Sequence, residues 1–155
     1  MKHEVLPLCQ ISVCYYPTRL TSSHNQNFSI IRRHWKKFNT LLKVNKVKFG
    51  PNWEKYAITK KYDGHYHYLC AFPTKSHIRP FEFTLIPAGN YVKFNHKGPM
   101  NTIWETINKI YKDVIPNSDF NIDINRSMIH FEHYDAKFNW NRQDSIVGIY
   151  VPLTN

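Results

Sequence analysis

The chain has 155 residues, which is long enough for one domain to bury its own core without disulfides or a structural metal. Hydrophobic residues make up 42% and aromatic residues 15%, a composition that excludes intrinsic disorder because disordered chains are poor in aromatics. The formal net charge is +10, but the lysines are spread along the chain. We therefore interpret the run from Arg32 to Lys37 as a solvated helix face rather than a nucleic-acid site.

The cysteines and the N-terminus indicate the compartment. Cys9, Cys14 and Cys70 form no C-x-x-C pair, and an odd number cannot all pair within one chain, which favours a reducing environment. The N-terminal segment has no long apolar stretch with a small-residue cleavage site, and no apolar run reaches 18 residues. We expect a cytoplasmic protein with no membrane partner.

The first half of the chain predicts the order strand, helix, strand, strand. β-branched and aromatic residues predict a strand over residues 9–16. Apolar residues recur at helical spacing over residues 28–44. Two further strands are predicted at residues 53–60 and 65–72, joined by a turn at Asp63 and Gly64.

The second half repeats this order after a proline-containing linker at residues 73–89. A strand is predicted at residues 91–95, followed by a helix over residues 100–114. Two strands complete the unit, at residues 128–134 and 146–152.

Together these elements predict an α+β fold made of two tandem β-α-β-β units with antiparallel sheets. Each helix is expected to cover one sheet face, which leaves a ligand cleft between the two halves. We expect one domain over residues 1–155, with pseudo-repeat halves at about 1–80 and 81–155.

Several motifs resemble those of the GyrI-like family, the effector-binding domains of AraC-type and MerR-type multidrug-sensing regulators. "PAGNYVKFNHKGP", "IYKDVIPNS", "FEHYD" and "IYVPL" stand in the order and spacing of that family, and "HWKKF" and "YAITKKYDGHYHYLCAFP" fit its first half. The resemblance covers nearly the whole chain and implies duplicated units of the SHS2 type. No helix-turn-helix segment is expected before Cys9 or beyond Leu153, so we expect a stand-alone member with no direct DNA binding.

Strand parity predicts which side chains face the cleft, because successive residues point to opposite faces. In "MIHFEHY", Ile129 and Phe131 share one face, predicted to lie against the helix, whereas His130, Glu132 and Tyr134 share the other. In the last strand, Val147, Ile149 and Val151 are predicted on the helix side. Ile146, Gly148 and Tyr150 are then expected to face the cleft, where Gly148 leaves room for a ligand.

A carboxylate on an aromatic cleft floor is partly desolvated, so a delocalised organic cation is a favourable partner. We therefore expect Glu132 to bind lipophilic aromatic, often cationic, compounds, and the family resemblance implies the same role because its pocket glutamate falls on Glu132. The ligand-binding residues that we predict beside it are Tyr134, Tyr150, Tyr68, Tyr91, Phe138, Trp140 and Gly148. Gly148 departs from many relatives, which carry a larger or acidic side chain there, so a second pocket carboxylate is in doubt.

Other interpretations remain open at this point. Glu132 is also compatible with a surface carboxylate paired with a lysine, and Tyr68 and Tyr91 are also compatible with core positions. Some members of the GyrI-like family hydrolyse reactive cyclopropane-bearing aromatic compounds. If this chain did the same, Glu132 would be the catalytic base. Another member inhibits DNA gyrase, which leaves a protein partner (gyrase or a regulator) as a third possibility.

His65 and His67 share a strand face, but two ligands do not make a zinc site, so we predict no metal and no cofactor.

Overall fold

Eight strands and two helices form the fold in the computed structural model, which describes residues 1–123 and 125–154. The helices are α1 (His24–Val44) and α2 (Ile103–Lys109), and α2 is preceded by a 3-10 turn (Met100–Thr102) and followed by a π-helical turn (Ile110–Val114). The strands are β1 (His3–Leu8), β2 (Ile11–Arg19), β3 (Glu54–Tyr62), β4 (His65–Pro73), β5 (Glu82–Ile86), β6 (Gly89–Lys97), β7 (Met128–Asp135) and β8 (Ile146–Pro152).

The strands form one antiparallel sheet in the order β1-β6-β8-β7-β3-β4-β2-β5, which curls into a half-barrel. The two β-α-β-β units meet where β7 pairs with β3. The strand that precedes each unit pairs with the other unit, because β1 lies beside β6 and β5 lies beside β2. The predicted α+β class and the duplicated strand order are confirmed, but the two units share one continuous sheet instead of forming two.

Two strands were missed by the sequence analysis. The sequence pattern predicts no strand at β1, and it predicts a linker over residues 73–89, which include β5. Both strands lie at the outer edges of the sheet, where only one side of the backbone is paired. Edge strands are short and carry weaker hydrophobic alternation, which explains why the pattern did not reveal them.

Helix α1 is amphipathic and packs on one face of the sheet. Trp35, Phe38 and Leu42 are buried, because their spacing places them on one side of the helix. The basic run is exposed on the other side, apart from His34 and Trp35. The interpretation of this run as a solvated helix face agrees with these positions. Ser23 caps the helix by accepting a hydrogen bond from the backbone N–H of Gln26.

The two faces of the sheet differ in what covers them. Helix α1 packs on the face that carries Tyr134, and the apolar side of α2 packs against Ile149 and Val151 on the same face. The opposite face lies inside the curl, where Phe131 stacks on Tyr150 with ring centroids 4.7 Å apart. That cluster combines residues from both halves, including Val13 and Tyr91. The curl therefore buries an apolar face without any helix.

One orientation predicted from strand parity is wrong. Phe131 was expected against a helix, but it lies on the opposite face, and Glu132 and Tyr134 lie on the helical face. Alternation itself holds, since Glu132 pairs with Ile149 across the sheet and Phe131 pairs with Tyr150. The helix side predicted for Val147, Ile149 and Val151 agrees with their contacts.

Among the described residues, no helix is both long enough and apolar enough to cross a membrane.

Candidate functional site

A cavity of about 500 Å³ lies between the two helices on the helical face of the sheet. Its floor comes from strands β3, β4 and β7, and its walls come from both helices and from the loop between β7 and β8. Apolar and aromatic side chains dominate the lining, as in most small-molecule sites. The apolar and aromatic members are Leu20, Phe28, Ile31, Tyr66, Tyr68, Met100, Ile103, Trp104, Ile107, Tyr111, Ile129 and Trp140.

The floor is built by strand register. Thr59 on β3 pairs with Tyr68 on one side and with His130 on the other, so these three side chains form one row. In the next row Ala57 pairs with Glu132. The small side chain of Ala57 leaves space beside the carboxylate.

A β-bulge widens the floor at Ile129. Thr59 pairs with His130, but the next residue of β3 pairs with Met128, so the register skips Ile129. Both Ile129 and His130 line the cavity as a result. β-bulges redirect side chains in this way and are common next to binding sites.

The wall from α2 depends on its irregular end. The helix widens into a π-helical turn, closed by a hydrogen bond of 2.9 Å from the Ile115 N–H to the Ile110 carbonyl. This turn carries Tyr111, whose ring lines the cavity and whose hydroxyl lies 2.9 Å from Nδ1 of His130. Single π-helical turns inside helices occur frequently at functional sites.

The wall from α1 begins in the polar loop that precedes the helix. Leu20, His24 and Asn27 line the cavity. Asn27 is held in place by Thr21, whose backbone N–H donates to Oδ1 at 2.7 Å and whose carbonyl accepts from Nδ2 at 2.9 Å. The sequence pattern of this loop indicates no role for it, but in the structure the loop forms one edge of the cavity.

Trp140 closes the side of the cavity next to α1. It lies in the loop between β7 and β8, and its ring centroid is 6.0 Å from that of Phe28. The Met100 N–H donates to the Trp140 carbonyl at 3.0 Å, which attaches the loop to the start of the α2 region. Across the cavity, the rings of His24 and Trp104 stack at 5.5 Å. Aromatic contacts between separate elements thus border the cavity at two points.

Glu132 is the buried charged group of the floor. Its exposed fraction is 3%, and its carboxylate accepts a short hydrogen bond from the Tyr134 hydroxyl. Burial raises the pKa of Glu132 to about 7, and the Tyr134 hydrogen bond opposes part of this rise. The carboxyl group therefore changes its charge near neutral pH.

No Lys or Arg of the described residues lies within 4.0 Å of the Glu132 carboxylate, and its nearest basic neighbour is His130 at 3.9 Å. Lys55, on the same sheet face, donates instead to Asn39 at 3.0 Å and lies over the Trp53 ring at 4.9 Å. Because unpaired buried charges are costly, an ionised Glu132 lacks the compensation that a counter-ion in the cavity would supply.

Tyr68 and Tyr134 place two buried hydroxyl groups near the Glu132 carboxylate. The Tyr68 hydroxyl accepts a hydrogen bond of 2.9 Å from the Trp35 indole. Burial, and then the neighbouring Glu132 charge, raise the pKa values of both hydroxyls well above their usual range. Both therefore stay protonated and polar beside Glu132.

The predicted site residues divide into three groups. Glu132, Tyr68 and Trp140 line the cavity. Tyr134 and Phe138 lie behind it, around a smaller hollow of about 90 Å³ that also touches Trp140. Tyr134 reaches the site only through its hydrogen bond to Glu132.

Tyr91, Tyr150 and Gly148 were also predicted to face the cleft, but they lie on the other face of the sheet. Tyr91 and Tyr150 pack with Phe131 inside the curl. A Cβ atom at Gly148 would meet the Tyr150 ring at 3.0 Å and the Lys93 side chain at 3.2 Å, so the space there is already filled by protein. The error follows from the assumption that the uncovered sheet faces form the cleft, whereas the cavity lies under the helices.

Several lining residues were not singled out by the sequence analysis. Ile31, Ile103 and Ile107 belong to the apolar sides of the two helices, and they form cavity walls. Tyr66 and Tyr111 were missed because a lone tyrosine carries no signal for its partners. His130 shares the predicted face of Glu132, and strand alternation could have found it.

No group of three or more His, Cys, Asp or Glu side chains in residues 1–123 and 125–154 is placed to hold a metal ion.

A curled antiparallel sheet with two helices over a largely apolar cavity is an α+β architecture with the shape and lining of a small-molecule site. The family of integron-associated effector-binding proteins named Cass2 matches residues 8–153, and the chain belongs to this family. Its resemblance to GyrI-like domains is thereby confirmed. No curated protein sequence matches the chain.

Solved structures with the same fold agree with this assignment. SAV2435 bound to tetraphenylphosphonium has a TM-score of 0.77 at 11% identity, with 100% of this chain and 95% of that chain covered. The Vibrio cholerae integron cassette protein VCH_CASS2 has a TM-score of 0.67 at 16% identity, covering 98% and 95%. The C-terminal domain of EcmrR has a TM-score of 0.68 at 14% identity, covering 99% and 98%.

A hydrolase from Listeria innocua is a more distant neighbour, with a TM-score of 0.53 at 8% identity and coverage of 99% and 92%. At these identities the structural neighbours establish the fold alone.

Glu132→Gln is expected to stabilise the unliganded protein above neutral pH. Because the folded pKa of about 7 lies above the ordinary 4.5, the folded state binds this proton more tightly than the unfolded chain. The stability from this group is fully present below the unfolded pKa and is lost as the pH rises through 7. The variant has no ionisable group at this position, so its stability does not fall in this way. Its free energy of unfolding at pH 8 should therefore exceed that of the wild type by about 3 kcal/mol.

Urea denaturation at pH 5 and pH 8 measures this difference, which should be much smaller at pH 5. Glu105→Gln is the matched control, because Glu105 is an exposed carboxylate on α2 and its replacement should change stability little at either pH. Equal stability of Glu132→Gln and the wild type at pH 8 would contradict a desolvated carboxyl group.

Proposed function

We propose that this protein captures lipophilic aromatic compounds, often cationic, in the cavity between its two helices. Glu132 is the counter-ion for the positive centre, and the aromatic side chains hold the flat apolar part. The observation that carries the proposal is the buried Glu132 carboxylate, which lies at the cavity floor without a Lys or Arg partner among the described residues.

The cavity size and lining suit such compounds. A volume of about 500 Å³ is within the usual range for small-molecule sites. Tyr66, Tyr68 and Trp140 present aromatic surface, and a well-placed cation over such a ring gains about 0.5 to 2 kcal/mol. A small polar metabolite would use little of this lining, so aromatic compounds gain more from it.

The structural comparisons support the same ligand class without testing it in this chain. SAV2435, whose fold is similar, binds tetraphenylphosphonium, a lipophilic aromatic cation. EcmrR is a neighbour whose matching domain is one part of a DNA-bound chain, of which this chain covers 57%. We propose that the present chain shares the ligand-binding part of this arrangement, as a cytoplasmic binder of small molecules.

Charge selectivity should depend on Glu132. N-ethylquinolinium and 1-ethylnaphthalene have nearly the same shape and differ in charge. At pH 8, Glu132→Gln should weaken binding of the quinolinium by about 10- to 100-fold, because the cation loses its buried counter-ion, and should change naphthalene binding by less than about twofold. Quenching of the tryptophan fluorescence measures both affinities.

Glu105→Gln again provides the control, since this exposed carboxylate lies on α2 outside the cavity lining, and both affinities should stay unchanged. The proposal fails if the quinolinium does not bind the wild type in a saturable way, or if Glu132→Gln weakens both compounds equally.

Cation affinity should also depend on pH. Only ionised Glu132 attracts a cation, and its pKa in the free protein is about 7. The dissociation constant of N-ethylquinolinium should therefore fall by up to about tenfold per pH unit as the pH rises from 5.5 toward 7, and level off above pH 8. Titration calorimetry in two buffers should detect proton release on binding near pH 7. A flat profile in the wild type, or the same profile in Glu132→Gln, would contradict the assignment.

A second candidate function is hydrolysis of an electrophilic aromatic compound in the same cavity. A carboxyl group with a pKa of about 7 that also holds the Tyr134 hydroxyl is suited to accept a proton from water as the water oxygen attacks the substrate. The fold likeness to a hydrolase is compatible with this alternative.

Mass spectrometry distinguishes the two candidates. A cyclopropane-bearing aromatic electrophile should be recovered unchanged from a binding protein, at the concentration added. A hydrolase should instead release a product heavier by one water, and Glu132→Gln should lower this turnover by about 100-fold or more.

A further inference from the structure

His130 is a buried polar group of the cavity floor, beside Glu132. Its exposed fraction is 4%, and it lies two residues before Glu132 on the same face of β7. Its Nε2 atom has no hydrogen-bond partner and lies 3.9 Å from a Glu132 carboxylate oxygen, beyond hydrogen-bond distance. Buried polar atoms without partners are rare in folded proteins and need a specific explanation.

The neighbours of His130 determine which ring nitrogen carries the proton. The Ile129 carbonyl already accepts two hydrogen bonds from Arg126, at 3.2 and 3.0 Å. The Tyr111 hydroxyl lies 3.3 Å from that carbonyl but only 2.9 Å from Nδ1 of His130. The shorter distance, and the two hydrogen bonds that the carbonyl already accepts, favour donation from Tyr111 to Nδ1, and on that basis we assign the imidazole proton to Nε2.

His130 is also neutral at physiological pH. Burial and, to a smaller extent, the positive charge of Arg126 lower its pKa to about 4. The Nε2 atom is therefore a neutral N–H donor without an acceptor, directly beside a carboxylate without a cation. Both residues line the cavity, and Nε2 itself is buried in the free protein, so a ligand that satisfies both groups reaches Nε2 by displacing the side chains that cover it.

We propose that the cavity selects aromatic cations that also carry a hydrogen-bond acceptor, such as an ester, ketone or ether oxygen, within a few bonds of the positive centre. The acceptor oxygen binds Nε2–H of His130 while the positive centre lies against Glu132. This inference rests on the proposed function and deepens it, because it names the second group that a preferred ligand must have.

The spacing of the two protein groups limits the spacing within the ligand. Because Nε2 and the nearest carboxylate oxygen are 3.9 Å apart, both contacts require an acceptor and a cation that are close together in one molecule. A cation without an acceptor leaves the buried N–H unpaired, and sites that present an unpaired polar group discriminate strongly against such compounds.

Thr59 and Asn27 do not provide the same selection. The Asn27 side chain is already bonded to Thr21. Thr59 lies in the same floor row as His130, but its hydroxyl can rotate toward any neighbour and can both donate and accept. His130 is the floor group whose donor direction is fixed, by Tyr111.

Two commercial cations of similar length test the inference. Benzoylcholine carries an ester between its phenyl ring and its trimethylammonium group, and trimethyl(4-phenylbutyl)ammonium has methylene groups in the same positions. Titration calorimetry at pH 8 gives the ratio of the two affinities. His130→Phe should lower the affinity for benzoylcholine by about tenfold and change that for the phenylbutyl compound by less than about twofold.

Glu105→Gln is the control, because this exposed carboxylate lies outside the cavity lining and its replacement should leave the ratio of affinities unchanged. If His130→Phe does not fold, Tyr111→Phe provides a second test, because it removes the hydroxyl that fixes the tautomer. It should also lower the affinity for benzoylcholine relative to that for the phenylbutyl compound.

Nuclear magnetic resonance of histidine side-chain nitrogens gives an independent readout in the wild type. We expect Nε2 of His130 to be protonated and Nδ1 to be unprotonated in the free protein. Benzoylcholine should shift the Nε2–H proton downfield, whereas the phenylbutyl compound should not.

The outcomes separate this inference from the proposed function. If neither cation binds the wild type, both fail. If both cations bind and both weaken in Glu132→Gln, but His130→Phe leaves their ratio unchanged or the proton lies on Nδ1, the proposed function stands and the inference about His130 is overturned.

Discussion

The pairing of β7 with β3 is the constraint on which the site depends. This contact joins the two β-α-β-β units into one sheet, and it places His130 and Glu132 beside Thr59 and Ala57 from the other unit. The helices of the two units then lie on the same face, one on each side of this seam. The cavity between the helices therefore has a floor made by both halves, and neither half alone would form it.

A buried carboxylate makes the empty site less stable, and in the proposed function it makes the occupied site more selective. Desolvation raises the pKa of Glu132, so the folded protein loses stability as this group ionises. A cation in the cavity would supply the missing compensation for the Glu132 charge. Lys55 does not supply it, because Asn39 and the aromatic rings of Phe49 and Trp53 hold its ammonium group elsewhere. Functional sites commonly retain such locally unfavourable groups.

The curl of the sheet explains how the protein tolerates polar groups under its helices. The face inside the curl contains an apolar cluster with residues from β2, β5 and β6 as well as β7 and β8, and Phe131 lies at its centre with an exposed fraction of 1%. Burial of this cluster contributes hydrophobic stability that does not depend on the helices. The helical face can therefore leave a hollow between α1 and α2, because the core on the other face remains closely packed.

Much of this protein could be predicted from its sequence. Local signals determined both helices, six of the eight strands of the described residues, and the alternation that separates Phe131 from Glu132. Motif order indicated the family. These features depend on side-chain periodicity and turn residues, which act over a few positions of the chain.

Only the tertiary structure decided which sheet face became the site. Tyr91 and Tyr150 satisfy the same local pattern as Tyr68, yet they lie inside the curl whereas Tyr68 lines the cavity. Three further features join residues from separate elements. They are the bulge at Ile129, the pairing of the edge strands β1 and β5 with the other unit, and the contact of Tyr111 with His130. Periodicity shows that two side chains lie on opposite faces, but the packing of distant elements determines what covers each face.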